Sequence, residues 1–232
     1  MIPKVSIPIP CFNYGQYLDE AVDSVLSQTF QDFEIVIVDD KSTDNTTVDV
    51  VKAQEKKDSR IKTFFHSENK RMAGARNTAI RESSGRFIVP LDADDKLHPD
   101  FLQECYNEIV KGRFHIISTD MRFFGTINKD YLFPNYNLNG LYVRGQFPVT
   151  VMYHKIHWEQ VGGYNETFTE GYEDWEFAIN MGEHSHTGYH ISKILFYYRW
   201  KDSSTIHNTM RKKAEIIARI KKLHPHPIYK SR

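Results

Sequence analysis

Short apolar runs alternate with segments of helical period through the first half of this chain, and that alternation limits the fold more than any other feature. The run at 5–10 (VSIPIP) reads as a buried strand, although Pro8 lacks the N–H that a central strand uses. Tyr17, Leu18, Ala21, Val22, Val25 and Leu26 then recur at helical spacing. The pattern repeats as a strand at 34–38 (EIVIV), a helix around 48–57, a strand at 61–65, a helix at 73–84 stopped by Gly85, and a strand at 87–91. Pro99 suits the first turn of a further helix closed by Gly112, and a strand follows at 114–119. Alternation with short links predicts an α/β fold, a mostly parallel Rossmann-like sheet with helices on both faces. Ligands bind such sheets outside the carboxyl ends of the strands.

The second half is less regular. Residues 120–145 are aromatic, Asn- and Gly-containing sequence, expected to form loops and a small antiparallel ribbon on the acceptor side. A helix is expected at 173–181 and a late strand at 191–200. After Asn208 the tail reads as a basic helix carrying Arg211, Lys212, Lys213, Arg219, Lys221 and Lys222. The expected organisation is one domain over 1–207, split near 119 into two halves, with 208–232 as a tail.

Composition narrows the function. With 232 residues the chain is long enough to bury a core without disulfide staples. Lys+Arg and Asp+Glu both number 30, which argues against a nucleic-acid partner, since such domains are basic overall. Cys11 and Cys105 fit no metal or redox spacing and read as two buried thiols. The opening segment has no signal-peptide h-region and no run is long enough for a membrane span, so a cytoplasmic protein is expected. The basic tail is a candidate for peripheral contact with an anionic membrane, and equally for a solvated helix or a subunit contact. His184, His186 and His190 suggest zinc by spacing, but the preferred reading is surface or acceptor-side residues.

Two predicted strands end in acid. LDADDKL places Asp92, Asp94 and Asp95 within four residues, an arrangement that repels itself unless a cation or hydrogen-bond donors compensate. A hard divalent ion, Mg²⁺ or Mn²⁺, is the natural partner, because it takes one or two carboxylates together with substrate phosphates. The alternative is a solvated acidic loop in which Asp95 caps the next helix. Asp39 and Asp40 in VDDKSTDNT serve either as turn formers or as acceptors toward a nucleobase or ribose. Glu173 and Asp174 in EDWEF serve either as first-turn helix charges or, for Asp174, as a general base.

Taken in order, VSIPIPCFN, LSQTFQDFEIVIVDDKSTDNT, HSENKRMAGARNTAI, LDADD and GGYNETFTEGYEDWEF resemble the family 2 glycosyltransferases of GT-A fold, over about 5–200. The resemblance implies an inverting transferase that takes a sugar from a nucleotide-diphosphate donor, UDP-linked by expectation, to a hydroxyl acceptor, either a glycan or a lipid-linked glycan. It implies that Pro10, Phe12 and Asn13 border the nucleotide, that Asp39 and Asp40 read the base, and that Arg76 lies near the nucleotide. Asp92 and Asp94 match the D-x-D element, with Asp94 or Asp95 as the metal ligand. Asp174 matches the catalytic base and Glu173 its acceptor-side neighbour, while Trp175 either packs in the core or lines the acceptor pocket. His207 is brought toward the metal or the diphosphate, with Ser203 to Thr205 ordering the loop before it. Arg71 departs from the pattern, standing where the family has glycine, so the resemblance does not fix the donor. A nucleotidyltransferase and a catalytically inactive sugar-nucleotide-binding module are the competing readings. The former lacks its usual glycine-rich basic loop here, and G-x-G-x-x-G and P-loop signatures are also missing.

Overall fold

β1 (Val5–Cys11) is buried along its whole length and sits between two parallel neighbours, β2 (Phe33–Asp39) and β4 (Phe87–Ile88). Its two internal prolines are tolerated for a reason visible in the ladder. The carbonyls of Ser6 and Pro8 accept from Val89 and Leu91, so the N–H positions of Pro8 and Pro10 face that same side. There the pairing runs one way only, and regular strand β4 is two residues long instead of the expected five. This structure is a computed structural model, and it describes residues 2–201 and 205–230, with the side chains of 205–211 and 229–230 outside the description.

Between these strands run α1 (Gly15–Leu26), α2 (Thr47–Gln54), β3 (Ile61–Phe65) and α3 (Arg71–Glu82). β5 (Lys96–Leu97), α4 (Phe101–Ile109) and β6 (Ile116–Gly125) follow, the last longer than its sequence pattern suggested. The acceptor-side ribbon forms as β7 (Lys129–Tyr131) antiparallel to β6. Then come α5 (Leu138–Leu141), β8 (Met152–His154), α6 (Lys155–Gln160), α7 (Glu173–Glu183), β9 (Gly188–Trp200) and α8 (Thr205–Leu223). The strands make one nine-stranded sheet in the order β3-β2-β1-β4-β8-β6-β9-β5, with β7 attached to β6. β8 is antiparallel to both its neighbours, whereas β6 and β9 are parallel.

Strand alternation distributes the core over both faces. Ile35 and Ile37 pack with Leu18, Val22, Val51, Phe101 and Leu102 on one face, under α1, α2 and α4. Val36 and Val38 point the other way, onto Ala75 and Ala79 of α3. Further along that second face Ile88 meets Ile80, Trp158, Phe177 and Met181. Cys11 and Cys105 are buried and free, and burial pushes the Cys11 thiol up to about 12, so it stays protonated.

Two expectations need correction. Asp95 does not cap a helix, since it precedes β5, and α4 starts at Phe101 after Asp100. The division at 207/208 falls inside α8, which is docked on the domain. Ile216 and Ile220 are buried with Leu141, Phe168 and Trp175. Lys212 pairs with Glu170 and Arg219 donates to the Thr167 carbonyl. The apolar stripe of this helix therefore faces protein, leaving only its basic side for any other surface. Among the described residues no helix is long and apolar enough to cross a membrane.

Beyond α8, His224 lies between Glu176 and Glu183, at 3.0 and 2.7 Å. Burial lowers its pKa, but the hydrogen bonds and charges of the two glutamates outweigh this and raise it. A raised histidine stabilises the fold fully below its unfolded pKa, and that contribution fades as pH rises through the folded value. His224→Gln should therefore lower the melting temperature by a few degrees at about pH 6, with the difference shrinking as pH rises past the ordinary histidine value and through the raised one. Thermal unfolding across pH measures this.

Candidate active site

The acidic strand ends converge on a cleft of about 560 Å³ lined by Pro10, Phe12, Asp40, Arg76, Asp92, Asp94, Glu173 and Asp174 among others. Parallel β1, β2 and β4 bring the first residues to one edge, and α7 brings the last two there from the other half of the chain.

The three aspartates of LDADD meet three different fates. Asp92 accepts from Arg76 Nη2 at 2.9 Å. Asp94 pairs with Lys201 Nζ at 2.5 Å, and the ammonium also lies 3.8 Å from the Tyr14 ring centre. Asp95 is buried away from the cleft, with Oδ1 accepting the Arg199 backbone N–H at 2.8 Å and Oδ2 unpartnered. Burial raises the Asp94 pKa, Asp92 adds to this, and Lys201 opposes it. For Asp95 burial, then Asp94 and Asp92, drive the pKa well up. Asp95 therefore braces the end of β9, and of the two residues named as metal ligands only Asp94 reaches the cleft.

Arg76 lines the cleft and is almost wholly buried. Its guanidinium is 1% exposed and bridges Asp92 to Glu173 Oε1, the latter at 2.7 Å, while lying over the Tyr164 ring. Burial opposes its charge, but Asp92 and Glu173 outweigh burial and raise its pKa further. Next in sequence, Asp174 is partly buried at the start of α7, and its Oδ1 accepts from the Trp175 N–H. Its carboxyl is pushed up to about 6 by burial first and by Glu173 second, with Arg76 acting against both. Gly171 and Tyr172 enter α7 with φ of +107° and +64°, the left-handed bend that turns Glu173 and Asp174 toward the cleft. Trp175 turns the other way. It is buried in the α5–α7–α8 cluster and donates to the Leu141 carbonyl, so its acceptor-side assignment is corrected to packing.

At the β2 end, Asp40 lines the cleft, and its Oδ1 accepts the Lys70 backbone N–H at 2.8 Å and is held by His66 at 2.7 Å. Asp39 is a turn former, accepting the Ser42 N–H, and its other oxygen is buried without a partner. Asn13 braces the same loop through Thr43 and Ser42, at a φ of +57°. Neither Asp39 nor Asn13 lines the cleft, so both shape it indirectly. Arg71 has φ +63°, which explains why glycine suits that position, and it lines the cleft. The side chains of His207 and of Ser203 to Thr205 lie outside the described residues.

Lys201, Arg199 and Tyr198 line the cleft unannounced by the sequence reading. For Arg199 and Lys201 the signal was the charged run RWKD at the end of the late strand, and Tyr198 immediately precedes it. Of the three tempting histidines, His190 is buried between Ser118 and Asp120, a correction to its surface reading, and His184 is exposed.

Comparison with known proteins agrees with this geometry. The model of the family described as Glycosyl transferase family 2 matches residues 6–166. The chain is 30% identical over 206 residues to a chondroitin synthase of Escherichia coli, a match covering 84% of this chain and 29% of that protein. The Staphylococcus aureus TarS fragment 1–349, solved with UDP-GlcNAc, superposes with a TM-score of 0.73 at 22% identity, over 88% of this chain and 60% of that one. The mannosyltransferase PcManGT of Pyrobaculum calidifontis, solved with GDP-Man and Mn²⁺, gives 0.73 at 18% identity, over 91% and 61%. At these identities the structural likeness speaks for the fold alone. This chain spans less than half the length of the curated relatives it matches.

Removing the buried cation should be costly, because two carboxylates would lose their shared partner. Arg76→Met is expected to destabilise the protein by roughly 3–5 kcal/mol, and Arg76→Lys by less, measured by urea unfolding.

Proposed function

This chain belongs to glycosyl transferase family 2, and on that premise we propose that it transfers a sugar from a UDP-linked donor to a hydroxyl acceptor with inversion at the anomeric carbon. The observation that carries this reading is Asp174, a carboxylate with a raised pKa facing the same cleft as Asp40, Asp92 and Asp94. The donor lies with its base toward Asp40 and the strand end at Pro10 and Phe12. The acceptor enters from the α7 side.

In the transfer, an Asp174 oxygen takes the proton of the acceptor hydroxyl as that oxygen bonds to the anomeric carbon. The bond from that carbon to the diphosphate oxygen breaks on the opposite face, and its electron pair leaves with the nucleoside diphosphate. One base and one displacement invert the centre. Burial and Glu173 keep the Asp174 pKa high enough for proton abstraction near neutrality, and Arg76 limits that rise.

The residues fit a divalent cation. Asp94 presents a carboxylate at the cleft, where positive charge from Lys201 at 2.5 Å supports reading the position as one that accepts a cation. Oxygen donors suit Mn²⁺ or Mg²⁺. When bound, such an ion neutralises charge developing on the diphosphate. Lys201 then becomes available to pair with a phosphate oxygen. The structures of TarS with UDP-GlcNAc and of PcManGT with Mn²⁺ support the donor class and the metal. The acceptor is a growing polysaccharide or glycoconjugate, in keeping with the chondroitin synthase relative. An inactive binding module would leave the Asp174 environment without a purpose.

A thermal-shift panel of nucleotide sugars with and without Mn²⁺ identifies the donor, since stabilisation follows affinity by mass action. Asp174→Asn should then cut transfer by about 10²–10⁴ with donor affinity nearly unchanged. In the wild type the base is inactive when protonated, so kcat/KM should fall as pH drops through about 6. Near-normal transfer by Asp174→Asn would sink the assignment.

A further inference from the structure

A second cluster of chemistry-bearing side chains lies at the opposite edge of the sheet. In β6 Ile116 pairs with Tyr153 of antiparallel β8 on one side and with Gly188 of parallel β9 on the other. That register gathers His115, which precedes β6, His157, from α6 just after β8, and His186, which precedes β9. One ring nitrogen from each lies within 4.8 Å of the other two. The His157 and His186 rings stack at 4.1 Å, and His115 lies 4.9 and 5.1 Å from them, centre to centre. β9 runs 13 residues from this corner to the catalytic cleft, roughly 40 Å of strand at about 3.3 Å per residue.

Two observations mark the cluster as more than packing. His157 Nδ1 and His186 Nε2 are buried and have no hydrogen-bond partner, a cost that native proteins rarely leave unanswered. Among the described residues no other group of three His, Cys, Asp or Glu side chains brings its donor atoms together in this way. We infer that His115, His157 and His186 form a binding site for a zinc-class transition-metal ion, which clasps the starts of β6 and β9 to α6.

The chemistry supports this class of ion. Three imidazoles suit borderline metals such as Zn²⁺, whereas Mg²⁺ and Mn²⁺ prefer oxygen. Tetrahedral coordination at about 2.0–2.1 Å sets nitrogens ~3.4 Å apart, so small ring movements close the site. Burial and the neighbouring rings hold the His157 pKa down to about 4, and lower that of His186, so both rings are neutral at physiological pH with a lone pair to give. His115 Nδ1 lies 3.0 Å from the Thr187 backbone N–H and 3.1 Å from its hydroxyl. Binding through His115 Nε2 moves the ring proton to Nδ1, which then donates to Thr187 Oγ1 while the backbone bond is given up. The Thr187 hydroxyl thereby orients the ligand. The fourth position is left to solvent.

The test uses the whole chain, freed of metal by chelation and held in excess Mg²⁺ so that the aspartate site is not titrated. Co²⁺ serves as the spectroscopic probe and Zn²⁺ as its competitor. One equivalent of Co²⁺ should bind with tetrahedral visible absorption, be displaced by Zn²⁺, and persist in Asp94→Asn. His157→Gln and His186→Gln should each weaken binding at least about tenfold, and Zn²⁺ should raise the melting temperature of the wild type but not of the variants. Their unchanged melting in chelator and retained sugar transfer would show that they fold. A wild type that binds no Co²⁺ under excess Mg²⁺, or variants that bind as tightly as it does, would overturn the site.

Discussion

The buried guanidinium of Arg76 is the joint on which the candidate site depends. It comes from α3, yet its partners are Asp92, sixteen residues on, and Glu173, ninety-seven residues on. It thus ties the strand end that carries Asp92 to α7, the helix that presents Asp174. A buried charge of this kind tolerates little movement, because losing either carboxylate leaves a desolvated cation. The same pairing sets the field at Asp174. Glu173 raises its pKa and Arg76 restrains that rise, leaving a carboxyl poised near neutrality.

Crowding of Asp92, Asp94 and Asp95 is resolved by three separate compensations: Arg76, Lys201 and the Arg199 backbone N–H. Arg199 lies in β9 and Lys201 just after it, so two of the three compensations come from the far half of the sheet. Asp92 and Asp94 line the cleft and Asp95 does not, and of the three only Asp94 is paired with a lysine side chain.

The parallel β6–β9 pair links two chemistries at its two ends. At one end lies the carboxylate cleft, and at the other the imidazole cluster. Antiparallel β8 makes the second possible, because it delivers α6 to the edge where β6 and β9 begin. α8 adds a third tie, with Ile216 and Ile220 against the Trp175 cluster and His224 held by Glu176 and Glu183 just beyond it. α7 is therefore supported from behind by the segment that had read as a separable tail.

What the sequence determined was whatever depends on local period and on motif order: the strand–helix alternation, the parallel sheet, the acidic strand ends, and Asp40, Asp94 and Asp174 as cleft residues. Those features are local, since they rest on the period of apolar residues and on short motifs at the carboxyl edge of the sheet and the start of a helix. Tertiary structure decided which of two adjacent carboxylates faces outward. Asp39 and Asp40, like Asp94 and Asp95, differ by one position, and one residue of register reverses a side chain's direction. It decided that Trp175 packs inward while Asp174 does not. It also decided that His186 keeps company with His115 and His157 rather than with its sequence neighbours, because contacts between residues far apart in the chain are set by strand order, which no local pattern encodes.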